Sequence, residues 1–144
     1  MLKRPVSVLV VIITETGDAA IMQRADDDQF WQSVTGSVES GEDIESAAIR
    51  ELAEETGLTP KMGRWINMNH SVCYTIRPQW RHRYPSGVVT NTEHWFALVL
   101  PKTVPLKLAP LEHLDYRWLT ASQAQSQCSS ASNAKAIQRL LDSM

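Results

Sequence analysis

Cysteine is scarce in this 144-residue sequence, which has only Cys73 and Cys128. The two thiols lie far apart and lack CxxC spacing, so we do not expect a zinc site. A disulfide stays open beside the alternative of two buried or incidental thiols. An excess of one charge is also missing, since 14 basic and 16 acidic residues give a net charge of −2 and a pI near 6.1. This balance argues against a nucleic-acid-binding protein, which needs a positive surface.

Long hydrophobic stretches are lacking as well. The apolar run at residues 6–13 is far shorter than the ~20 residues of a membrane span. No small-residue cleavage site follows it, so it does not fit a signal peptide. We therefore expect no membrane partner and a cytoplasmic protein. A mass of 16.2 kDa predicts a single domain over residues 1–144.

The hydrophobic patterns predict an α/β fold in which helices cover the faces of a sheet. Residues 6–14 are almost all Val, Ile and Leu, which is typical of a central strand buried on both faces. The turn at residues 15–18 predicts a hairpin with the next strand. We expect strands at residues 6–14, 19–23, 64–76, 89–100 and 116–119, with a short extended piece at 30–35, and helices at 43–56 and from Ser132 or Asn133 onward.

The helix predicted at residues 43–56 is acidic along one side. Asp43 is a good N-cap, and Gly57 suits the left-handed residue that ends a helix. At about 100° per residue, three carboxylates fall within about 100° of arc: those of Glu51, Glu54 and Glu55. The side expected to face the core carries Ile49, Leu52 and Thr56.

This acidic flank is unfavourable for the helix itself. Glu51 and Glu55 are like charges at i,i+4 spacing, and Glu54 and Glu55 lie in the last turn, at the negative end of the helix dipole. Arg50 is within reach of an ion pair with Glu54, four residues later. One explanation is a solvated surface; the other is a divalent cation, since Mg²⁺ binds clustered carboxylates and completes its shell with phosphate oxygens. The glycines that bracket the helix favour the cation: Gly36, Gly41 and Gly57 would let the loop before the helix turn tightly and approach a ligand with its backbone. The site would then lie on the glutamate flank and face the Gly36 loop.

The spacing of these residues resembles the Nudix box. Gly36 is followed after five residues by Glu42, and after seven more by Arg50-Glu51-Leu52-x-Glu54-Glu55-x-Gly57-Leu58, a match at every defined position. Nudix proteins mostly hydrolyse a diphosphate linked to another moiety and use Mg²⁺ or Mn²⁺. The resemblance therefore implies a metal-dependent hydrolase with an α/β/α sandwich and a mixed β-sheet between helices.

The resemblance also implies a role for each charged member of the box. Glu51 and Glu55 would be the principal metal ligands, and Glu54 a third ligand or the carboxylate that orients a water. Arg50 would hold a glutamate in place, and Glu42 would steady the junction of loop and helix. The expected catalytic residues are Glu54, Arg50 and Glu51.

Blocks outside the box resemble a bacterial branch of the family that acts on a pterin triphosphate in folate synthesis. These blocks are residues 3–7, 31–39, 81–84, 91–96 and 112–114. This likeness implies hydrolysis of dihydroneopterin triphosphate to dihydroneopterin monophosphate and pyrophosphate. It implies Glu112 as a further metal ligand, with residues 74–77 beside the substrate. The other expected substrate-binding residues are Lys3, Arg24, Thr35 and Ser130.

Without the resemblance, these residues have simpler explanations. Lys3 and Arg24 would be solvated charges at strand ends, and Glu112 would be a loop charge. Residues 81–84 would form either a surface loop or a basic patch for phosphate. None of the four histidines has ligand spacing, so none is assigned to catalysis. The core is the expected place of Trp31 and Trp95.

Two alternatives remain for the function. One is a (deoxy)nucleoside triphosphate or dinucleoside polyphosphate pyrophosphohydrolase, because Tyr74 lies 16 residues after Leu58, a spacing that loosely fits the latter. The other is a non-catalytic nucleotide-binding domain. The main hypothesis expects a small-molecule triphosphate as the partner of a monomer or homodimer.

Overall fold

The structure, a computed structural model, describes residues 2–144. Over this range the chain forms a mixed β-sheet between helices. The strands are β1 (Val6–Thr14), β2 (Asp18–Arg24), β3 (Trp31–Gln32), β4 (Val34–Ser37), β5 (Arg64–Thr75), β6 (Thr90–Leu100) and β7 (His113–Thr120). The helices are α1 (Ile44–Thr56), α2 (Ala121–Gln127) and α3 (Ala131–Asp142), with 3₁₀ helices at Pro60–Met62 and Pro78–Arg83.

Strand β1 is the centre of the sheet. It pairs in parallel with β6 and antiparallel with β2 and β4. Strand β5 lies outside β6, while β3 and β7 both pair with β2. The predicted hairpin of β1 and β2 is confirmed, with Ile12 opposite Ala20.

The two faces of β1 lie in two separate cores, because successive residues of a strand point to opposite sides. Val10 packs in one core with Leu52 of α1. Val11 packs in the other core with Ala124 of α2 and Ile137 of α3. Helices therefore cover both faces of the sheet, and the predicted α/β/α sandwich is confirmed.

The inner side of α1 and the tryptophans follow the sequence prediction with one exception. Leu52 and Thr56 are buried, as are Trp31 and Trp95. The expectation that Ile49 faces the core is wrong, because its side chain lies over a shallow surface groove between α1 and β5 and is 37% exposed.

Local sequence signals predicted the ends of α1 correctly but did not predict α2 or the start of α3. Asp43 caps α1 by accepting a hydrogen bond from the Ser46 N–H at 3.1 Å, and Gly57 ends it with φ 76°, both as predicted. The predicted start of α3 at Ser132 or Asn133 is wrong. Ser130 is the N-cap instead, because its side chain accepts the Asn133 N–H. Helix α2 was not predicted, because it contains few apolar residues, although it begins with a capping box.

Across residues 2–144, no helix has the length and apolar character needed to cross a bilayer. The cytoplasmic location stays a prediction. Cys73 and Cys128 are free thiols in the described chain, which excludes the disulfide alternative for this structure.

Candidate active site

Helix α1 turns two of its glutamates towards β4 and away from solvent. Glu51 is 8% exposed and Glu55 only 1% exposed, so this flank is not the solvated surface that composition alone allowed. A Cβ atom at position 36 would overlap the Glu51 carboxyl group. Gly36 of β4 therefore permits the close approach of strand and helix. The glutamate flank faces Gly36, as expected from the sequence, although Gly36 lies in a strand and not in a loop.

Arg50 joins the carboxylates around the start and middle of α1. Its Nε donates to Glu42 Oε2 at 2.7 Å and its Nη1 to Glu51 Oε1 at 2.9 Å. The predicted i,i+4 pair with Glu54 is present but longer, at 3.3 Å, and the Glu54 side chain is 52% exposed. Hydrogen bonds from Arg50 lower the pKa of Glu42 to about 2, and Glu42 in turn raises the pKa of Arg50. The guanidinium thus fixes both the loop and the Glu51 carboxylate.

Glu55 has no such partner. Both of its carboxylate oxygens are buried, and neither takes a hydrogen bond from residues 2–144. Burial, and then the neighbouring Glu51 carboxylate, raise the pKa of Glu55 well above its usual range. Burial also raises the pKa of Glu51, against the effect of Arg50. A buried carboxylate without a counter-charge costs several kcal/mol, and a hard cation that prefers oxygen ligands would remove that cost.

The turn before β7 brings further ligand groups to Glu55. One ligand atom from each of Glu55, Glu112 and His113 lies within 4.8 Å of the others. His113 Nε2 is 3.6 Å from Glu55 Oε1, and burial lowers the pKa of His113 to about 4. Glu112 is exposed but stands beside the glutamates of α1, so it is more than an isolated loop charge. Sequence reasoning missed His113, because its neighbours at the site come from a distant segment.

Basic side chains face the carboxylates across an open cleft. This outer cleft is lined by Lys3, Arg24, Glu51, Glu54, Glu55, Arg83 and Glu112, among others. Although Lys3 is exposed as a residue, partial burial of its ammonium and the nearby Arg83 and Arg24 lower its pKa, while Glu51 and Glu112 raise it. Lys3 therefore lies between the cationic and the acidic sides of the outer cleft.

Asp26 holds the two arginines of the outer cleft side by side. Arg24 Nη2 and Arg83 Nη2 each lie 2.6 Å from Asp26 Oδ2. Of the segment 81–84, Arg83 thus supports the phosphate-patch alternative. Arg81 does not, because its Nε donates to the Ile76 carbonyl at 3.1 Å.

A second, more enclosed cavity of about 280 Å³ continues inward from the outer cleft. We call it the inner cavity, and its aromatic lining consists of Phe30, Tyr74, Trp80 and Tyr84. The Phe30 and Trp80 rings meet edge to face at 5.0 Å between centroids, and the Arg24 guanidinium lies 4.4 Å from the Trp80 centroid. Sequence reasoning missed Phe30 and Trp80, whose pairing depends on the packing of a loop against the 3₁₀ helix Pro78–Arg83. A flat aromatic ligand fits such a lining.

The expected substrate-binding residues all lie on these walls. Lys3, Arg24 and Thr35 line both the outer cleft and the inner cavity, and Ser130 lines the inner cavity. The two spaces are therefore continuous. A molecule with an aromatic head and a polyphosphate tail can span them, with its tail beside the glutamates of α1.

Comparison with known proteins places this architecture in a family. Residues 3–140 match the model described as the NUDIX domain. With the α/β/α sandwich and the glutamate-rich α1 already in place, the chain belongs to the Nudix hydrolase family. Members of this family use a divalent metal ion, and the carboxylates and histidine around Glu55 are suitable ligands for one.

Within the family, the chain is similar to dihydroneopterin triphosphate diphosphatases. It is 44% identical to the enzyme of Escherichia coli strain K12 over 142 residues, or 96% of this chain and 93% of the relative. The Haemophilus influenzae enzyme is 40% identical over 138 residues, or 94% of this chain and 86% of the relative. The structure of the E. coli dihydroneopterin triphosphate pyrophosphohydrolase matches with a TM-score of 0.94 at 42% identity, covering 100% of this chain and 99% of that one.

Proposed function

We propose that the chain is a metal-dependent pyrophosphohydrolase that converts dihydroneopterin triphosphate to dihydroneopterin monophosphate and pyrophosphate. The observation that carries this proposal is the continuity of buried carboxylates, basic side chains and an aromatic cavity. The likeness to dihydroneopterin triphosphate diphosphatases supports the choice of substrate. We treat residues 1–144 as one catalytic domain, since β1 contributes to both cores.

The metal ligands in this proposal are Glu51, Glu55 and Glu112, with Glu54 as a further ligand or as the residue that orients water. The unpartnered oxygens of Glu55 support it, because a cation would supply the counter-charge that the protein does not. Mg²⁺ is our choice of ion and Mn²⁺ the alternative, since most of the donor atoms are carboxylate oxygens. The bound metal would neutralise phosphate charge and lower the pKa of a water.

The residues opposite the glutamates would bind the triphosphate. Lys3, Arg24 and Arg83 supply positive charge that stabilises the phosphate oxygens and the pyrophosphate that leaves. Thr35 lies where the outer cleft meets the inner cavity and offers a hydroxyl group there. Ser130, the N-cap of α3, would contact the substrate from the inner cavity.

We assign proton abstraction to Glu54. Among the box carboxylates near the outer cleft it is the most accessible to water, with its side chain 52% exposed. A water oxygen would form the new bond to phosphorus while the bond to the bridging oxygen breaks, and Glu54 would take the water's proton. Such a base contributes about 10²- to 10⁴-fold to the rate. Arg50, in contact with Glu51 and Glu54, would hold both carboxylates in position.

A panel of substrates tests the proposal. We expect dihydroneopterin triphosphate to give the highest kcat/KM with Mg²⁺, measured as pyrophosphate release, and EDTA to abolish turnover. A far higher kcat/KM for dATP or diadenosine tetraphosphate would overturn the substrate choice in favour of the nucleotide alternative. Absence of turnover on every substrate would favour the non-catalytic binding domain.

A further inference from the structure

One carboxylate of the inner cavity has no part in the proposed hydrolysis. Glu93 of β6 lines this cavity, is 4% exposed, and is not among the residues of the outer cleft. Its Oε1 accepts hydrogen bonds from Trp95 Nε1 and from the Ser132 hydroxyl, each at 3.0 Å. Its Oε2 accepts none from residues 2–144. One oxygen is thus fixed by the protein while the other keeps its full capacity to accept.

Asn91 adds a second unsatisfied polar group beside Glu93. The two residues are two apart on β6, so their side chains lie on the same face of the strand. Asn91 is 1% exposed and donates from Nδ2 to the Ser7 hydroxyl at 2.7 Å and to the Tyr74 hydroxyl at 3.0 Å. Its Oδ1 is buried without a partner in the described chain. Buried polar groups are rarely left unpaired, and this face of β6 carries two acceptor atoms, Glu93 Oε2 and Asn91 Oδ1, that receive no hydrogen bond from residues 2–144.

We propose that Glu93 is a specificity-determining residue that binds the amino-oxo-pyrimidine edge of the substrate ring through Oε2. The proposal rests on the proposed function, because it assigns the ring of the same substrate. A pterin, like guanine, presents an amino group and a ring N–H side by side, and a carboxylate is an acceptor for both. Adenine and cytosine place a ring acceptor beside their amino group, and that acceptor is repelled by a carboxylate.

The cost of burying Glu93 argues for a role beyond packing. Burial raises the pKa of Glu93, and the hydrogen bonds from Trp95 and Ser132 oppose this effect. A neutral side chain could fill the same space without that cost. Discrimination is strong where a site leaves a buried acceptor unpaired with the wrong ligand. Glu93 has this arrangement, since its orientation is already fixed by two donors.

The variant Glu93→Gln tests the proposal on matched substrates. Gln can keep one acceptor for Trp95 and Ser132 while presenting an NH₂ group to the ring. We expect kcat/KM for dihydroneopterin triphosphate and for GTP to fall about 10- to 100-fold. ATP, with the same ribose and triphosphate as GTP, should change by less than about threefold. Equal losses on GTP and ATP would mean a structural role and would overturn the proposal.

Two further measurements keep the test decisive. Ser132→Ala removes one donor to Glu93, so it should reduce the GTP to ATP preference less than Glu93→Gln does. If Glu93→Gln does not fold, the wild-type protein can be tested with two competing ligands. Pterin should inhibit ATP hydrolysis at least about tenfold more strongly than lumazine. The reason is that lumazine carries a 2-oxo group in place of the amino group that would donate to Glu93. Equal inhibition would refute the role of Glu93. Wild-type activity on GTP without activity on dihydroneopterin triphosphate would instead refute the proposed function alone.

Discussion

Glu55 and Glu93 are two buried carboxylates in one continuous site, and the protein surrounds them differently. Glu55 on α1 has no hydrogen-bond donor for either oxygen within residues 2–144. Glu93 on β6 has two donors on one oxygen, from Trp95 and Ser132. The first arrangement requires a ligand that brings positive charge, and the second requires only a neutral N–H group.

Because of this difference, the charges of Glu55 and Glu93 affect the free energy of folding to different extents. The charge of Glu55 opposes folding until a cation compensates it, because burial and the Glu51 carboxylate both raise the pKa of Glu55. The Glu93 carboxylate is partly compensated by the protein itself, since its pKa is raised by burial but lowered by Trp95 and Ser132. Variants that remove each charge should therefore separate binding of metal from binding of the ring.

The largest effect is expected for Glu55→Gln. The amide keeps the size of the side chain but removes a charged ligand, so kcat/KM should fall at least about 10³-fold, or about 4 kcal/mol of barrier. Steady-state kinetics with saturating Mg²⁺ measure this loss. Glu45→Gln, on the same helix and outside the outer cleft, is the matched control and should keep wild-type activity. Full activity of Glu55→Gln would contradict the assigned role.

The second-largest expected effect is that Mg²⁺ increases the free energy of unfolding of the protein. With free Mg²⁺ at 100 times its Kd, the wild-type protein should gain about 3 kcal/mol over the metal-free protein. Urea unfolding with Mg²⁺ and with EDTA measures the gain. Glu55→Gln should lose most of this stabilisation by Mg²⁺. In EDTA, the variant should be at least as stable as the wild-type protein. Glu93→Gln should still be stabilised by Mg²⁺. If this variant also lost the stabilisation, the assignment of metal binding to Glu55 and not to Glu93 would be contradicted.

Gly36→Ala should damage the site more than the fold. The added methyl group would overlap the Glu51 carboxyl group, which can move because it is the end of a side chain. A misplacement of about 1 Å in a catalytic group costs about 10²-fold in rate, and kinetics should show a loss of this size. Gly17→Ala is the opposite control: φ is 91°, and within residues 2–144 no atom beyond Gly17 and its two chain neighbours lies within 4 Å of the added Cβ. It should cost about 1 kcal/mol of folding free energy and leave kcat/KM unchanged.

The acidic half of the site was predictable because its signals are local. Asp43 and Gly57 mark the ends of α1, and the helical spacing of Glu51 and Glu55 places both on one flank. The resemblance to the Nudix box added the roles, and likeness outside the box added Glu112. The wrong orientation of Ile49 shows the limit of a helical wheel, which does not contain the surface groove between α1 and β5 that this side chain lines.

The ring-binding half was not predictable in the same way. Trp80, in the 3₁₀ helix Pro78–Arg83, meets Phe30, which lies in a loop 50 residues earlier in the sequence. His113 reaches Glu55 only because the turn before β7 packs against α1. Glu93 looks like an ordinary polar residue of a strand until the fold places Trp95 and Ser132 around one of its oxygens. Each of these positions depends on tertiary contacts and has no short-range pattern.

The smallest expected effect concerns Glu42, a carboxylate whose two oxygens both accept hydrogen bonds from Arg50. Glu42 accepts two hydrogen bonds from Arg50, at 2.7 and 3.0 Å, and its pKa is lowered to about 2 from an ordinary value of 4.5. A lowered pKa in the folded state means that the stabilisation is complete above about pH 4.5 and is lost as the pH falls towards 2. At pH 7, Glu42→Gln should cost about 1 kcal/mol, because solvent screens part of the ion pair.

Urea unfolding of wild type and Glu42→Gln between pH 7 and pH 3, in EDTA, measures this difference. The two proteins should converge as the pH falls, since protonation of Glu42 removes the charge that the variant already lacks. A difference that stays constant with pH would mean that the stability lost in the variant does not come from the Glu42 charge. The hydrogen bond from Arg50 Nη2 to the Ser37 carbonyl, at 3.1 Å, is present in both proteins and cancels from the comparison. Glu42 would then stabilise the loop through the geometry of its hydrogen bonds, including the one that it accepts from the Glu39 N–H at 3.0 Å, rather than as an ion.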